Sequence, residues 1–351
     1  MGLARFIFKR LVFTVITLIV LTLLLFATTT LFPPADRAAM FVPPNVKNIE
    51  QIDLMEIARE HHFDDPFYIQ YLDWLSEAVI QGRLGYSPTY RAYVLDVILR
   101  SFPPTIELVV FAAPVIILVG IELGTYSAKR AYRKKGRDDP VDSVVRVFTT
   151  LGYSTPLFLI GLLSVSIFFL HLHWFAPVRL GSAAEMIVTS QSWKGYTGMY
   201  IIDGFLNGQS WVSLEALRQL VLPTAILIVS LLPIVVKVTR SSVLVEFNNS
   251  YVTAARAKGL KDVEVVNRVR RNAMIPVLTI SSIILGNMLT GIVVLEYVFS
   301  RRGLGYLAID AAKNLDFALL AGLSVFFCFA FVTINLLVDI LYTYFDPRVR
   351  L

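Results

Sequence analysis

Leu11-Val-Phe-Thr-Val-Ile-Thr-Leu-Ile-Val-Leu-Thr-Leu-Leu-Leu-Phe-Ala-Thr-Thr-Thr-Leu-Phe32 runs for 22 residues without a charged side chain. A helix of that length is about 33 Å long, enough to cross a hydrocarbon layer of about 30 Å. The same signal recurs at about 104–126, 148–172, 220–238, 274–299 and 319–344, so six spans are expected. Composition agrees: 56% of the 351 residues are apolar and 17% charged, against about 45–50% and about 25% in a soluble domain. The expected fold class is therefore all-α, a polytopic membrane protein with both termini on one side. These numbers exclude a disordered chain, and a single cysteine, Cys328, excludes an intrachain disulfide framework.

Working outward from the first span, Arg5, Lys9 and Arg10 precede it, as they would a secretory signal. Its apolar run exceeds the roughly 7–15 residues of a signal core, and Pro33-Pro34 follows where a small-residue cleavage site would lie. It is expected to be retained as an anchor. The loops that share a side with the N-terminus carry 20 of the 32 Lys and Arg residues, and the other 12 are spread over nearly twice as many positions. That bias places the N-terminus, the C-terminus and loops 127–147 and 237–273 in the cytoplasm. The net charge of +6 then reads as topology with membrane lipid as neighbour, and no nucleic-acid partner is expected.

Three regions follow: 1–32, a cytoplasmic start and first span; 33–103, a long extracellular segment; and 104–351, a five-helix core that includes loop 239–273. The external segment contains two amphipathic stretches, Ile49, Ile52, Met55, Ile57 and Tyr68, Leu72, Leu75, Val79, spaced as helices that bury one face. They suit a cap on the protein's own outer surface or a platform for an extracellular partner.

No phosphate-cradling, dinucleotide-binding, zincin or nucleophile-elbow motif occurs. His61-His62 and the pair His171, His173 lack the further ligands a zinc site needs. No catalytic, cofactor or metal residues are therefore expected, and no ATP hydrolysis by this chain. Polar residues inside the spans are few. Glu122 and Asp339 lie near expected cytoplasmic span ends, and Asn335 shares a helix face with Asp339. Gly286, Asn287, Thr290 and Gly291 form a small and polar stripe that fits close helix packing or a lumen-facing surface.

Loop 239–273 carries the most specific signal. In Glu246-Phe-Asn-Asn-Ser-Tyr-Val-Thr-Ala-Ala-Arg-Ala-Lys-Gly-Leu260, a short helix is expected to start after Asn249 or Ser250 and to end at Gly259, the residue suited to a left-handed terminus. Val252, Ala255 and Gly259 share a stripe that could press into a groove, leaving Arg256 and Lys258 for acidic partners or lipid headgroups. A second helix is expected from Asp262, carrying Val263, Val266 and Val269 inward before Ile275-Pro276 opens the fifth span.

Tyr251-Val-Thr-Ala-Ala-Arg-Ala-Lys-Gly-Leu260, followed by Arg271-Asn-Ala-Met-Ile-Pro-Val-Leu278, resembles the coupling loop, or EAA motif, of the inner-membrane permease subunits of binding-protein-dependent ABC importers, in the dipeptide/oligopeptide/nickel branch. Thr253 stands where the general pattern has Glu, and the spacing from Gly259 to Pro276 is long, both as in the peptide branch. The resemblance extends to Phe63-Asp-Asp-Pro-Phe-Tyr-Ile-Gln-Tyr-Leu72, Gly82-Arg-Leu-Gly-Tyr-Ser87, Pro103-Pro-Thr-Ile-Glu-Leu108, Glu296-Tyr-Val-Phe-Ser-Arg-Arg-Gly-Leu-Gly305 and Asn335-Leu-Leu-Val-Asp-Ile-Leu-Tyr-Thr-Tyr-Phe-Asp-Pro-Arg348, nearly the whole chain. The first span preceding a long outer segment is similar to the first permease type of that branch. The resemblance implies ATPase coupling through Tyr251, Val252, Thr253, Ala254, Ala255, Arg256, Lys258 and Gly259, and a translocation path including Asn287 and Thr290. It further implies a homologous second permease, two cytoplasmic ATPase subunits and an extracellular substrate-binding protein. Di- or oligopeptides are the implied substrates, with oligosaccharides or nickel complexes as alternatives. An ion-coupled carrier or a non-transporting membrane scaffold are the rival classes.

Overall fold

The computed structural model describes residues 3–29, 31–38, 41–42, 53–134 and 139–345. Contacts divide the chain into two units, Met1–Pro103 with Arg302–Val332 and Pro104–Arg301 with Thr333–Leu351. Residues 302–332, grouped with the core on sequence, thus cluster with the first 103.

The first unit begins with α1 (Leu3–Thr29), the opening apolar run. After it come α2 (Pro34–Ala38), α3 (Leu54–Glu60), α4 (Phe67–Ile80) and a two-residue hairpin, β1 (Tyr86–Ser87) against β2 (Ala92–Tyr93). The start of α5 (Val94–Arg133), α13 (Leu304–Lys313) and the start of α14 (Phe317–Phe345) complete it. Its core joins Val94, Val97 and Ile98 to Leu304, Leu307, Leu319 and Leu323. Ser87 Oγ donates to Asp316 at 2.5 Å and the Tyr90 hydroxyl to Asp310 at 2.7 Å, tying the hairpin to the α13–α14 corner.

The chain itself does not cover the Tyr68, Leu72, Leu75, Val79 stripe of α4, of which only Leu75 is half-buried. Tyr68, Leu72 and Val79 are exposed, and Tyr71 and Trp74 face α1 instead. The reason is that these two rings each place a polar atom as well as an apolar face. Tyr71 reaches Thr22 Oγ1 at 3.1 Å, and Trp74 Nε1 donates to the Leu84 carbonyl at 3.1 Å. In the other expected stretch, Ile49 and Ile52 lie outside the described residues, and α3 starts at Leu54.

The second unit contains the rest of α5, α6 (Pro140–Ser154), α7 (Leu157–Ser164), α8 (Ser182–Val188), α9 (Tyr200–Leu206), α10 (Ser210–Phe247), α11 (Ser250–Ala257) and α12 (Asp262–Val298). Five helices (α1, α5, α10, α12 and α14) are long and apolar enough to cross a membrane. Over the expected span at 148–172 the helix is not continuous: α6 and α7, the latter continued by a π-helical turn Val165–His171, meet at a bend of 95°. Thr155-Pro156 makes the break. Pro156 supplies no N–H, and Thr155 before it is extended at φ −92°, ψ 123°. The described residues therefore hold five helices long and apolar enough to cross a membrane, or six if the bent pair is counted as one.

The core of this unit is an α5–α10–α12 seam that includes Leu108, Ile116, Leu227, Val235, Ile284 and Met288. Gly120 and Gly124, one turn apart on α5, let α10 approach closely: a Cβ at Gly120 would stand 2.7 Å from that of Val235, and one at Gly124 2.6 Å from that of Thr239. The same unit holds a buried charge group drawn from distant parts of the chain. Arg301 Nη2 donates to Glu107 Oε2 at 2.8 Å, Arg179 Nη2 donates to Glu107 Oε1 at 2.9 Å, and Thr105 Oγ1 donates to Glu296 at 2.6 Å.

Candidate functional site

The projection between α10 and α12 is built from local chemistry. α10 stops at Asn248, and the extended Asn249 (φ −74°, ψ 146°) starts α11, its carbonyl accepting from the Val252 N–H at 3.0 Å. Glu246 pins this corner, accepting from the Tyr251 hydroxyl at 2.8 Å and from Asn249 Nδ2 at 3.1 Å. At the other end Gly259 adopts φ +79°. The Gly259 N–H donates to the Arg256 carbonyl at 2.9 Å and the Leu260 N–H to that of Ala255 at 3.2 Å, the paired closure of a Schellman terminus.

Val252 (1% exposed) and Ala255 (6%) point into the chain's own hairpin, against Ala128, Val243, Phe247, Val265 and Val269. The stripe that sequence offered to a partner groove thus anchors α11 to its neighbours, because those neighbours already cover it. The exposed face is Thr253, Ala254, Arg256, Ala257, Lys258 and Gly259. Arg256 is partly engaged: it lies 5.1 Å over the Tyr132 ring, donates to the Tyr132 hydroxyl at 3.2 Å and stands 3.9 Å from Asp262. Tyr132 in turn stacks on Phe247 at 4.6 Å. Asp262 also pairs with Arg133 and with Lys129.

The second helix also differs in register and extent. α12 runs unbroken from Asp262 through Pro276 to Val298, with Lys261 as the flanking residue and Glu264 accepting from its N–H at 3.2 Å. Val265 and Val269 face inward, whereas Val263 is 65% exposed. The fifth span and the projection are therefore one rigid element. Farther along, Asn287 is exposed on α12 beside the buried Met288, while the side chain of Thr290 lies outside the described residues, as does that of Asp339. Glu122 accepts from Arg270 at 2.7 Å, an α5–α12 link. The His171 and His173 rings each bond a nearby backbone carbonyl at 2.8 Å.

Sequence reasoning passed over Glu107, Glu296 and Arg301 as chemistry, although a carboxylate inside each of two apolar runs is a usable signal. Burial, and then the bond to Glu246, push the Tyr251 phenol up to about 12, so it remains a donor at neutral pH. With its folded value above the ordinary 10, its contribution is complete below pH 10 and fades as pH rises toward about 12. Tyr251→Phe is expected to cost about 1 kcal/mol, measured as a lowered melting temperature at neutral pH whose gap from the unaltered protein narrows across that alkaline range.

Residues 120–351 match the family described as binding-protein-dependent transport system inner membrane component, and residues 3–109 match its N-terminal membrane component. The chain is 33% identical to a probable D,D-dipeptide transport system permease protein of Escherichia coli strain K12 over 90% of this chain and 86% of that one. It is 30% identical to the dipeptide transport system permease protein of the same strain, over 99% and 98% of the two chains. To the di/tripeptide transport system permease protein of Pseudomonas aeruginosa it is 32% identical over 98% of each.

Proposed function

This chain belongs to the binding-protein-dependent transport system inner membrane components, and from that premise we propose that it forms half of the path by which an ABC importer takes up di- or oligopeptides. It is a multi-pass cell-membrane protein and a transporter subunit rather than an enzyme. The observation that carries the reading is the projection itself. α11 is clamped between the extensions of two long apolar helices, so a push on its exposed face reaches the membrane without a hinge.

In this reading the projection is cytoplasmic and an ATPase subunit seats on Thr253, Ala254, Arg256, Lys258 and Gly259, with Val252 and Ala255 holding the helix and Tyr251 fixing its start. A second, homologous permease completes the path, two ATPase subunits supply the work, and an extracellular binding protein delivers the substrate. ATP-driven closure of the ATPases moves α11, and α10 and α12 tilt with it to open the path alternately to each side. Asn287, and Thr290 one turn on, belong to the face that lines the path. The relatives named for peptide transport support the substrate class.

Reconstitution of the whole complex in proteoliposomes tests this. The expected result is uptake of labelled dipeptide that requires ATP and the binding protein. Uptake by this chain alone under a proton or sodium gradient would overturn it, and a complex that imports only oligosaccharide or nickel chelate would refute the peptide assignment.

A further inference from the structure

The first unit contains a cavity of about 450 Å³ at the end of α1 and the start of α14, within the size range of small-ligand sites. The import reading does not use it. Its walls include the rings of Phe63, Trp74 and Phe317 and the imidazoles of His61 and His62, and its formally charged lining is Asp73, Glu77 and Asp316 against Arg37.

Two of those four charges are already spoken for. Asp316 accepts from Ser87 Oγ at 2.5 Å and from the Leu319 N–H at 3.0 Å. Arg37 is buried, donates to Gln70 Oε1 at 2.8 Å and lies 4.5 Å over the Phe63 ring. The remaining pair stands apart. Asp73 and Glu77 are one turn apart on α4, flank the same helix face as Trp74, and are exposed with no basic side chain of the described residues paired to them.

We propose that this cavity binds a primary ammonium group borne on an apolar body. The rings supply apolar walls whose faces attract cations, and the protein's own Arg37 already uses one ring face that way. The two open carboxylates supply the counter-charge at the rim, and their excess disfavours an anionic ligand. Free amines and the α-amino end of a short peptide with an apolar first residue both present this chemistry.

The test is binding of 2-phenylethylammonium, and of its neutral analogue 2-phenylethanol, to the full chain assembled with its partner subunits in nanodiscs, read by saturation-transfer NMR and calorimetry. The ammonium is expected to bind about tenfold tighter than the alcohol, and the D73N/E77Q double variant is expected to erase that preference while leaving alcohol binding unchanged. Equal affinity for the two probes, a preference that survives in D73N/E77Q, or no binding at millimolar concentration would each overturn the proposal. Phe-Ala and N-acetyl-Phe-Ala identify the source: a dipeptide preferred over its acetylated form points to a peptide amino end, and a dipeptide that fails where the amine binds points to a free amine. Because the readout is binding, a negative result leaves peptide import standing, and loss of uptake leaves this proposal standing.

Discussion

Gly259→Val is expected to lower substrate-stimulated ATP hydrolysis and uptake by about tenfold or more while the protein still inserts and accumulates in the membrane. At φ +79° the Gly259 backbone is in the left-handed region, and a Cβ there would meet nothing within 4 Å. Crowding is therefore not the cause. The penalty is conformational, about 1–2 kcal/mol for an ordinary L-residue, with a β-branched one at the upper end or beyond. About 1.4 kcal/mol is a tenfold change in population. What is depopulated is the turn whose Gly259 and Leu260 N–H groups close α11 and aim the chain into α12. Gly259→Asn should retain most coupling, because asparagine reaches this region at small cost, and alanine should fall between the two. The check is ATPase stimulation and uptake by purified complexes, with abundance in the membrane as control. Full coupling in the valine variant would remove Gly259, and with it the rigid-projection reading, from the mechanism.

The asparagine comparison separates geometry from mere glycine loss, and it also marks where sequence is most legible. Gly259 declares the end of α11 through its own backbone preference, and Asn249 marks the start by position, its extended backbone at the first turn while its side chain donates back to Glu246. Long apolar runs are equally explicit, because a bilayer demands them, and five of the six expected spans lie in continuous helices. Facing direction was not legible. Helical spacing separates two sides but cannot say which one the chain covers itself and which one lipid or a partner covers. Hence Val265 rather than Val263 turns inward on α12, and Tyr71 and Trp74 rather than Tyr68 and Leu72 on α4. The bend at Thr155-Pro156 had a local signal that the surrounding apolar run obscured. The small and polar stripe at Gly286, Asn287 and Gly291 divides in the same way: Gly291 lies within ordinary contact of Leu227 and Leu157, whereas Asn287 is exposed.

Distance in the chain hid the buried charges most completely. Glu107 and Arg301 are 194 residues apart, yet they bond at 2.8 Å with side chains only 3% and 1% exposed. Burial pulls the Arg301 guanidinium down to about 10, against the pull of Glu107, and it remains a cation at neutral pH. Among the described residues its Nε and Nη1 have no hydrogen-bond partner, so the guanidinium is held by one bond and by charge. Arg301→Met keeps the volume and removes the charge. Among the described residues Glu107 then keeps Arg179, which donates from Nη2 at 2.9 Å and Nε at 3.4 Å and is itself shared with the Gly198 carbonyl at 2.7 Å. A buried charge left with no partner typically costs about 3–5 kcal/mol; with Arg179 still on Glu107, Arg301→Met is expected to cost about 1.5–3 kcal/mol, the worth of a hydrogen bond to a charged group. The measurement is thermal or denaturant unfolding of the detergent-purified complex, with the coupling loop unaltered as an internal control. The double variant E107Q/R301M is expected to recover more than half of that loss, since the carboxylate that lost one of its two cations is gone and Arg179 keeps the Gly198 carbonyl and the Tyr200 ring, 4.0 Å away. If the double variant is as unstable as the two single losses added together, the pair is not a coupled charge unit and Arg301 contributes by packing alone.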